Sequence, residues 1–154
     1  MNRPTDTTSP AIRRADLDDL DDLVRLHRDF CEVDRHPFHE RRARTAFDGL
    51  LADDARGIVW IVDRPAGYAV LTWGWSIEAG GLEGVLDEVF VSEQGTGVGG
   101  ELIDHLVEEG RRLGLARIFL ETEAHNVRAR RLYARHGFVE DDSIWMSREF
   151  TDLS

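Results

Sequence analysis

Four glycines stand within six residues, Gly95-Thr-Gly97-Val-Gly99-Gly100, between a run that reads as a strand and a run that reads as a helix. The strand candidate is Leu86-Asp-Glu-Val-Phe-Val91, which continues through Ser92-Glu93 into Gln94. The helix candidate carries Val98, Leu102, Ile103, Leu106 and Val107 at helical spacing. A strand, a glycine loop and a helix start in this order make an anion cradle. The first N–H groups of a helix lack intrahelical partners, and the helix dipole adds positive potential there. Glycine lets a phosphate approach the backbone and allows turns that side chains resist. A phosphorylated cofactor is the expected occupant.

Around this centre the chain reads as α/β (α+β), with an antiparallel first half and a βαβ-like second half. Ala11-Ile12-Arg13 is a short strand candidate. Asp16 caps a helix with Leu17, Leu20, Leu23, Val24, His27, Phe30 and Cys31 on its apolar side. Pro37 starts a second helical stretch with Phe38, Ala46, Phe47, Leu50 and Leu51 apolar. Ile58–Asp63, Tyr68–Ile77 and Val85–Val91 are strands joined by the short turns Arg64-Pro65-Ala66-Gly67 and Glu78-Ala79-Gly80-Gly81, which predicts an antiparallel meander. The helix after the glycine loop ends at Gly114. Ile118–Glu121 is a strand and Val127–His136 a helix stopped by Gly137; Phe138–Val139 and Ile144–Arg148 are closing strands. The polar residues 1–10 form a disordered tail without a signal-peptide core, and residues 11–154 form a single domain.

Charge and cysteine content narrow the function. A formal net charge of -11 argues against nucleic acid and permits a cationic substrate. Much of that acid lies in Asp16-Leu-Asp-Asp-Leu-Asp-Asp22, which suits the start of a helix. Apolar runs such as Gly57–Val62 are strand length, so no membrane span is expected. One cysteine fits a reducing cytoplasm and excludes an intrachain disulfide. Cys31, Asp34, His36 and His39 match no standard zinc framework, and no metal is expected.

Two cofactor readings compete for the loop. Gly95, Gly97 and Gly100 fit the dinucleotide fingerprint G-x-G-x-x-G, with Glu121 about where a ribose-binding acid belongs. That fingerprint opens a domain of several βαβ units, however, and here only one helix-strand-helix and a short tail follow. A P-loop fails because no Lys-Ser/Thr follows the glycines.

The second reading rests on two motifs together. Gln94-x-x-Gly97-x-Gly99 resembles the acyl-CoA pyrophosphate motif Q/R-x-x-G-x-G/A of the GNAT N-acetyltransferase superfamily. Downstream, Asn126-Val-Arg-Ala129-Arg-Arg-Leu132-Tyr133-Ala-Arg-His-Gly137-Phe138 resembles the family's N-x-x-A-x-x-L-Y-x-x-x-G-F at every position. Residues 11 to 150 are covered by the likeness. Family members commonly place about two more residues between the strand's last valine and the Gln/Arg. Here either the loop is shorter or the strand ends nearer Val89.

The resemblance implies a mixed, mostly antiparallel sheet splayed at an acetyl-CoA site and flanked by about four helices. It implies acetyl transfer from acetyl-CoA to a primary amine, small-molecule or peptide, by direct attack, and a homodimer. Gln94, Gly95, Thr96, Gly97, Val98, Gly99 and Gly100 would bind the pyrophosphate. Backbone at Val89, Phe90 and Val91 would pair with the pantetheine arm, and Asn126, Ala129 and Tyr133 would also contact the cofactor. Tyr133 would protonate the leaving thiolate. The base is Asp87 or Glu88, the first acid being the one often implicated in relatives. As neighbours on a regular strand the two would point to opposite faces; Glu121 or Glu123 acting through water is a further candidate. A noncatalytic acyl-CoA sensor on the same fold is the alternative. Trp60, Trp73 and Trp75 are expected chiefly in the core, and Arg128, Arg130 and Arg131 suit either CoA phosphates or a solvated helix face.

Overall fold

The structure, a computed structural model, describes residues 10–64 and 66–150. The expected tail at residues 1–9, and Pro65 of the first turn, lie outside the described residues. The chain divides after Glu121 into two compact units.

The first unit is built on a five-stranded sheet. Its strands are β1 (Ile12–Arg14), β2 (Gly57–Asp63), β3 (Ala66–Ser76), β4 (Gly81–Val91) and β5 (Arg117–Phe119), in spatial order β1-β2-β3-β4-β5. The first four pair antiparallel, which is the expected meander with β1 added at its edge. β4 and β5 pair parallel, and the crossover such pairing demands is made by the helix α3 (Val98–Arg112). Two further helices, α1 (Leu20–Asp34) and α2 (Glu40–Ala52), precede β2.

Both faces of the sheet are covered, which explains the near-continuous apolar runs of the strands. On one face Leu23, Val24 and Leu26 of α1 and Phe47 of α2 pack on Val59, Ile61, Tyr68 and Val70. On the other lies α3, where buried Leu102, Ile103 and Leu106 belong to the core and the His105 ring meets Trp60 edge-on at 5.4 Å. Trp60 is in the core as expected, at 1% exposure, but Trp75 is 78% exposed. β3 runs on past Thr72, the residue that faces the first residue of β2, so Trp75 has no β2 neighbour beside it.

The start of α1 also departs from expectation. Asp16 caps a 3₁₀ turn, Leu17–Asp19, before the helix proper begins at Leu20. Asp19 receives two hydrogen bonds from the Arg13 guanidinium, at 2.8 and 2.7 Å, and one from the Asp16 backbone N–H at 2.9 Å. Leu17 is consequently turned outward and is 54% exposed, rather than part of the apolar stripe. Pro37 does not open α2, which starts three residues later at Glu40 after His39 takes extended backbone.

The second unit contains α4 (Val127–Arg135). Asn126 caps its start, its side-chain oxygen accepting from the Ala129 N–H at 3.1 Å. Its end is a Schellman turn: Phe138 N–H donates to the Tyr133 carbonyl and Gly137 N–H to that of Ala134. Gly137 has φ +88, a conformation costly for any residue with a Cβ. The Tyr133 and Phe138 rings meet edge-on at 6.0 Å, the apolar contact that accompanies such turns. The two closing strands expected at Phe138–Val139 and Ile144–Arg148 do not form among the described residues. A strand exists only where a ladder satisfies its backbone, and Val139, Ile144 and Met146 are each at least 88% exposed.

The Arg13–Asp19 pair holds β1 to the turn that launches α1. Asp19 is 7% exposed, and the Arg13 hydrogen bonds hold its carboxyl below the usual carboxylate range. Asp19→Ala is expected to cost about 1–2 kcal/mol at neutral pH, toward the low side because Arg13 is half exposed. A carboxyl with a depressed folded pKa stabilises above its unfolded pKa and loses that stabilisation as pH falls through the folded one. Urea midpoints of both proteins across the acid range should therefore converge.

Candidate active site

β4 leads from the sheet into the glycine loop, and its pairing changes along its length. The ladder to β5 covers Glu83–Val85 and ends at Val85↔Phe119. From Leu86 to Val91, β4 pairs among the described residues only with β3. Among the described residues no strand pairs with this side of Val89, Phe90 and Val91, the kind of edge with which an extended ligand can pair.

β4 continues to Val91, so the loop is short and the strand does not stop at Val89. Residues Ser92 to Gly97 are exposed. Gly95 and Gly97 have φ +79 and +83, and a Cβ at either would meet nothing within 4 Å, so backbone geometry rather than crowding requires glycine there. α3 begins on Gly97 without a side-chain cap on its cap residue. The Thr96 hydroxyl instead bonds the Glu93 carbonyl at 3.3 Å and accepts from the Val98 N–H at 3.4 Å. Gln94 and Thr96 stand in the loop, Val98 is buried, and Gly99 and Gly100 lie in the first turn of α3. These residues follow β4 directly in the chain and lead into α3.

The two candidate carboxylates sit on an irregularity that periodicity did not reveal. Val70 faces Glu88, but the next residue, Leu71, faces Leu86; Asp87 is an extra residue in β4. This β-bulge breaks the expected alternation of Asp87 and Glu88. Glu88 falls on the α1 face with Val70, and its neighbour in charge terms is Asp87, whose carboxyl feels both Glu88 and His27. The two acids are thus coupled rather than separated by the sheet.

Glu88 is the hub of a polar cluster. Its Oε2 accepts from the Tyr68 hydroxyl at 2.6 Å and lies 3.0 Å from His27 Nδ1. His27 Nε2 is 3.5 Å from Cys31 Sγ. Burial, then the Glu88 charge, pushes the Tyr68 phenol far above its ordinary range, so Tyr68 is a neutral donor. Burial likewise pushes the Cys31 thiol up. His27 and Cys31 looked in the sequence like members of an apolar helix face; nothing in their spacing signalled a carboxylate partner from β4. Asp87 is exposed at its rim, yet its carboxyl is raised by burial first and by Glu88 second.

In the second unit, Asn126 spends its oxygen on the cap, which leaves its amide N–H groups for another partner. Ala129 N–H is the donor to that cap. Tyr133 and His136 are half-buried. Arg130 bonds Glu140 and the Ala124 carbonyl, whereas Arg128 and Arg131 are exposed. Among the described residues no three His, Cys, Asp or Glu side chains converge as metal ligands, and no helix is long and apolar enough to cross a membrane.

The acetyltransferase (GNAT) family model matches residues 20–138. The chain belongs to the GNAT family. An uncharacterized N-acetyltransferase of Archaeoglobus fulgidus is 32% identical over 139 residues, covering 86% of this chain and 95% of that protein. An integron cassette protein from the mobile metagenome of Cole Harbour Salt Marsh superposes with a TM-score of 0.83 at 29% identity, over 98% of this chain and 97% of that one. A Clostridium acetobutylicum protein, described as a predicted acetyltransferase with acetyl-CoA, shares the fold with a TM-score of 0.74 at 20% identity, over 90% of this chain and 95% of that one.

The coupling at the bulge has a measurable consequence. An acid whose folded pKa is raised stabilises the fold only when protonated, and that contribution is lost as pH rises through the folded pKa. Asp87→Asn is therefore expected to raise the urea midpoint at neutral pH. At about pH 3, below the ordinary carboxylate range, the difference from the parent should vanish. A neutral-pH midpoint below the parent's would show that the Asp87 charge is favourably placed.

Proposed function

We propose that this protein transfers an acetyl group from acetyl-CoA to a primary amine by direct attack, in the cytoplasm. The observation that carries the reading is the continuous run from the open edge of β4 through the glycine loop into α3. An extended arm fits the edge, and a pyrophosphate fits the loop and helix start. Val89, Phe90 and Val91 would hold the arm by backbone hydrogen bonds. Gln94 through Gly100 would hold the phosphates; Asn126 is assigned to the CoA arm on its match to the motif asparagine alone. Bound acetyl-CoA would supply a thioester carbonyl that is open to nucleophilic attack.

The new bond is N–C and the bond broken is C–S, so one proton must leave the amine and one must reach the departing sulfur. We assign the first to Glu88. Its Oε2 is held by two side chains, and Oε1 is left for the acceptor. Asp87 beside it adds negative potential, which favours a cationic amine. We assign the second to Tyr133, on its match to the motif tyrosine. A phenol is a weak acid, but its basicity is comparable to a thiolate's, so the transfer is nearly balanced.

Acetyl-CoA is expected to raise the thermal midpoint, because a ligand that binds only the folded state stabilises it by mass action. Gly97→Asp should abolish that rise by placing a carboxylate where a phosphate binds, and its own midpoint without ligand checks that it folds. A rise with NADH and none with acetyl-CoA would defeat the reading. Binding of acetyl-CoA with no free thiol released across a broad amine panel would favour a noncatalytic sensor.

Tyr133→Phe keeps the ring that packs on Phe138 and removes the hydroxyl. Turnover with a working amine should fall about 10²–10⁴-fold while the acetyl-CoA midpoint shift persists. Near-parental turnover would remove Tyr133 as the acid.

A further inference from the structure

The cluster around Glu88 has a direction, and the direction follows from what each atom can do. An ionised carboxylate only accepts hydrogen bonds. His27 Nδ1 lies 3.0 Å from Glu88 Oε2, so Nδ1 carries the ring hydrogen. The other ring nitrogen, Nε2, faces the Cys31 thiol at 3.5 Å. Tyr68 donates to the same Oε2. Cys31 faces His27, and His27 and Tyr68 both direct a hydrogen at one oxygen, Glu88 Oε2.

The other oxygen is different. Among the described residues Glu88 Oε1 accepts no hydrogen bond, and no buried side-chain oxygen or nitrogen is left without a partner. Oε1 therefore reaches solvent, and the side chain is 20% exposed. Phe30, Phe38 and Phe47 surround the His27 ring at centroid distances of 6.0, 6.0 and 6.1 Å. They pack against the ring and restrict its plane.

The geometry points to His27 as the positioning residue of Glu88. It fixes the carboxylate in the rotation that offers Oε1, and only Oε1, to the acceptor amine. The role is orientation rather than proton relay. A proton taken up at Oε1 faces solvent, and Nδ1, already the donor to Oε2, is no acceptor for it. This inference rests on the acetyl-transfer reading for the identity of the acceptor, but the orientation of Glu88 is decided without it.

Two measurements test it. Nitrogen-15 NMR of the imidazole groups, with His27 assigned from His27→Asn, reads the tautomer directly. The expected result at neutral pH is an Nδ1–H ring for His27 that reverts toward Nε2–H in Glu88→Gln. An Nε2–H ring in the parent protein would overturn the inference, whether or not any amine is ever acetylated.

The second measurement is kinetic. His27→Phe keeps an aromatic ring among the phenylalanines and removes the donor. Turnover should fall about 10–100-fold, the scale of an ångström-level misplacement of a reacting group, with KM for acetyl-CoA unchanged. His27→Asn places an amide N–H near the Nδ1 position and should recover most of that loss. A merely structural histidine would lower the thermal midpoint and weaken acetyl-CoA binding together, and Asn would rescue neither. Parental turnover in His27→Phe, or equal losses in the Phe and Asn variants, would overturn the inference. Tyr68→Phe, which removes the other donor to Oε2, should lower turnover in the same direction and serves if His27→Phe does not fold. A parent with an Nδ1–H ring but no turnover of any amine would retire the acetyl-transfer reading and with it the kinetic role, leaving the fixed carboxylate.

Discussion

β4 carries one residue more than the strand it pairs with, and the site depends on where that residue falls. With Leu71 opposite Leu86 and Val70 opposite Glu88, the extra residue is Asp87. Leu86, 4% exposed, is thereby sent to the α3 face with Leu71, and Glu88 and Phe90 to the α1 face with Val70 and Tyr68. In a regular strand Leu86 and Glu88 would share a face. Glu88 would then enter the apolar layer under α3, where an unpartnered carboxylate is prohibitively unfavourable. The bulge is what allows a charged residue and a core leucine to stand two positions apart in a strand covered on both sides.

The same strand loses its β5 neighbour after Val85. A parallel ladder of three residues is short, and the chain leaves it for the glycine loop with its outer edge unpaired. Open edges invite pairing with other strands. Here the edge is brief and ends in a loop whose positive-φ glycines turn the chain sharply into α3. Bulge and open edge thus lie on adjoining residues: one aims the carboxylate, and the other leaves backbone groups free beside it.

Much of the architecture was legible because its signals are local. The meander followed from short turns between apolar runs, α3 from its spacing and Gly114, and the end of α4 from Gly137. Strand register was not legible. Leu86-Asp-Glu-Val-Phe-Val91 is flanked by apolar residues on both sides of the sheet, so period-two patterning carries no face information and cannot locate an inserted residue. Pro37 misled because proline suits the first turn of a helix yet equally suits the extended approach to one. The expected closing strands failed for a related reason: β-propensity in Ile144-Trp-Met146 describes a surface that wants a partner strand, not one that supplies it.

His27 shows why the polar part of the site was hidden. On a helical wheel it falls among Leu23, Val24 and Cys31, and a histidine there is ordinarily a half-buried packing residue. Its function as a donor exists only because β4 delivers Glu88 to the same place, 61 residues along the chain. The cluster also explains why the histidine is tolerated in that layer. Each of its members is satisfied: Tyr68 and His27 by Glu88, and the second ring nitrogen by the Cys31 thiol. Removing any one donor would not simply subtract a hydrogen bond. It would leave Oε2 short of a partner in a half-buried site, and the carboxylate would turn toward water to recover solvation. The aromatic cage and the donors therefore act together. The rings make rotation toward the interior unfavourable, the donors oppose rotation away from it, and the solvent-facing oxygen is held in one place by both.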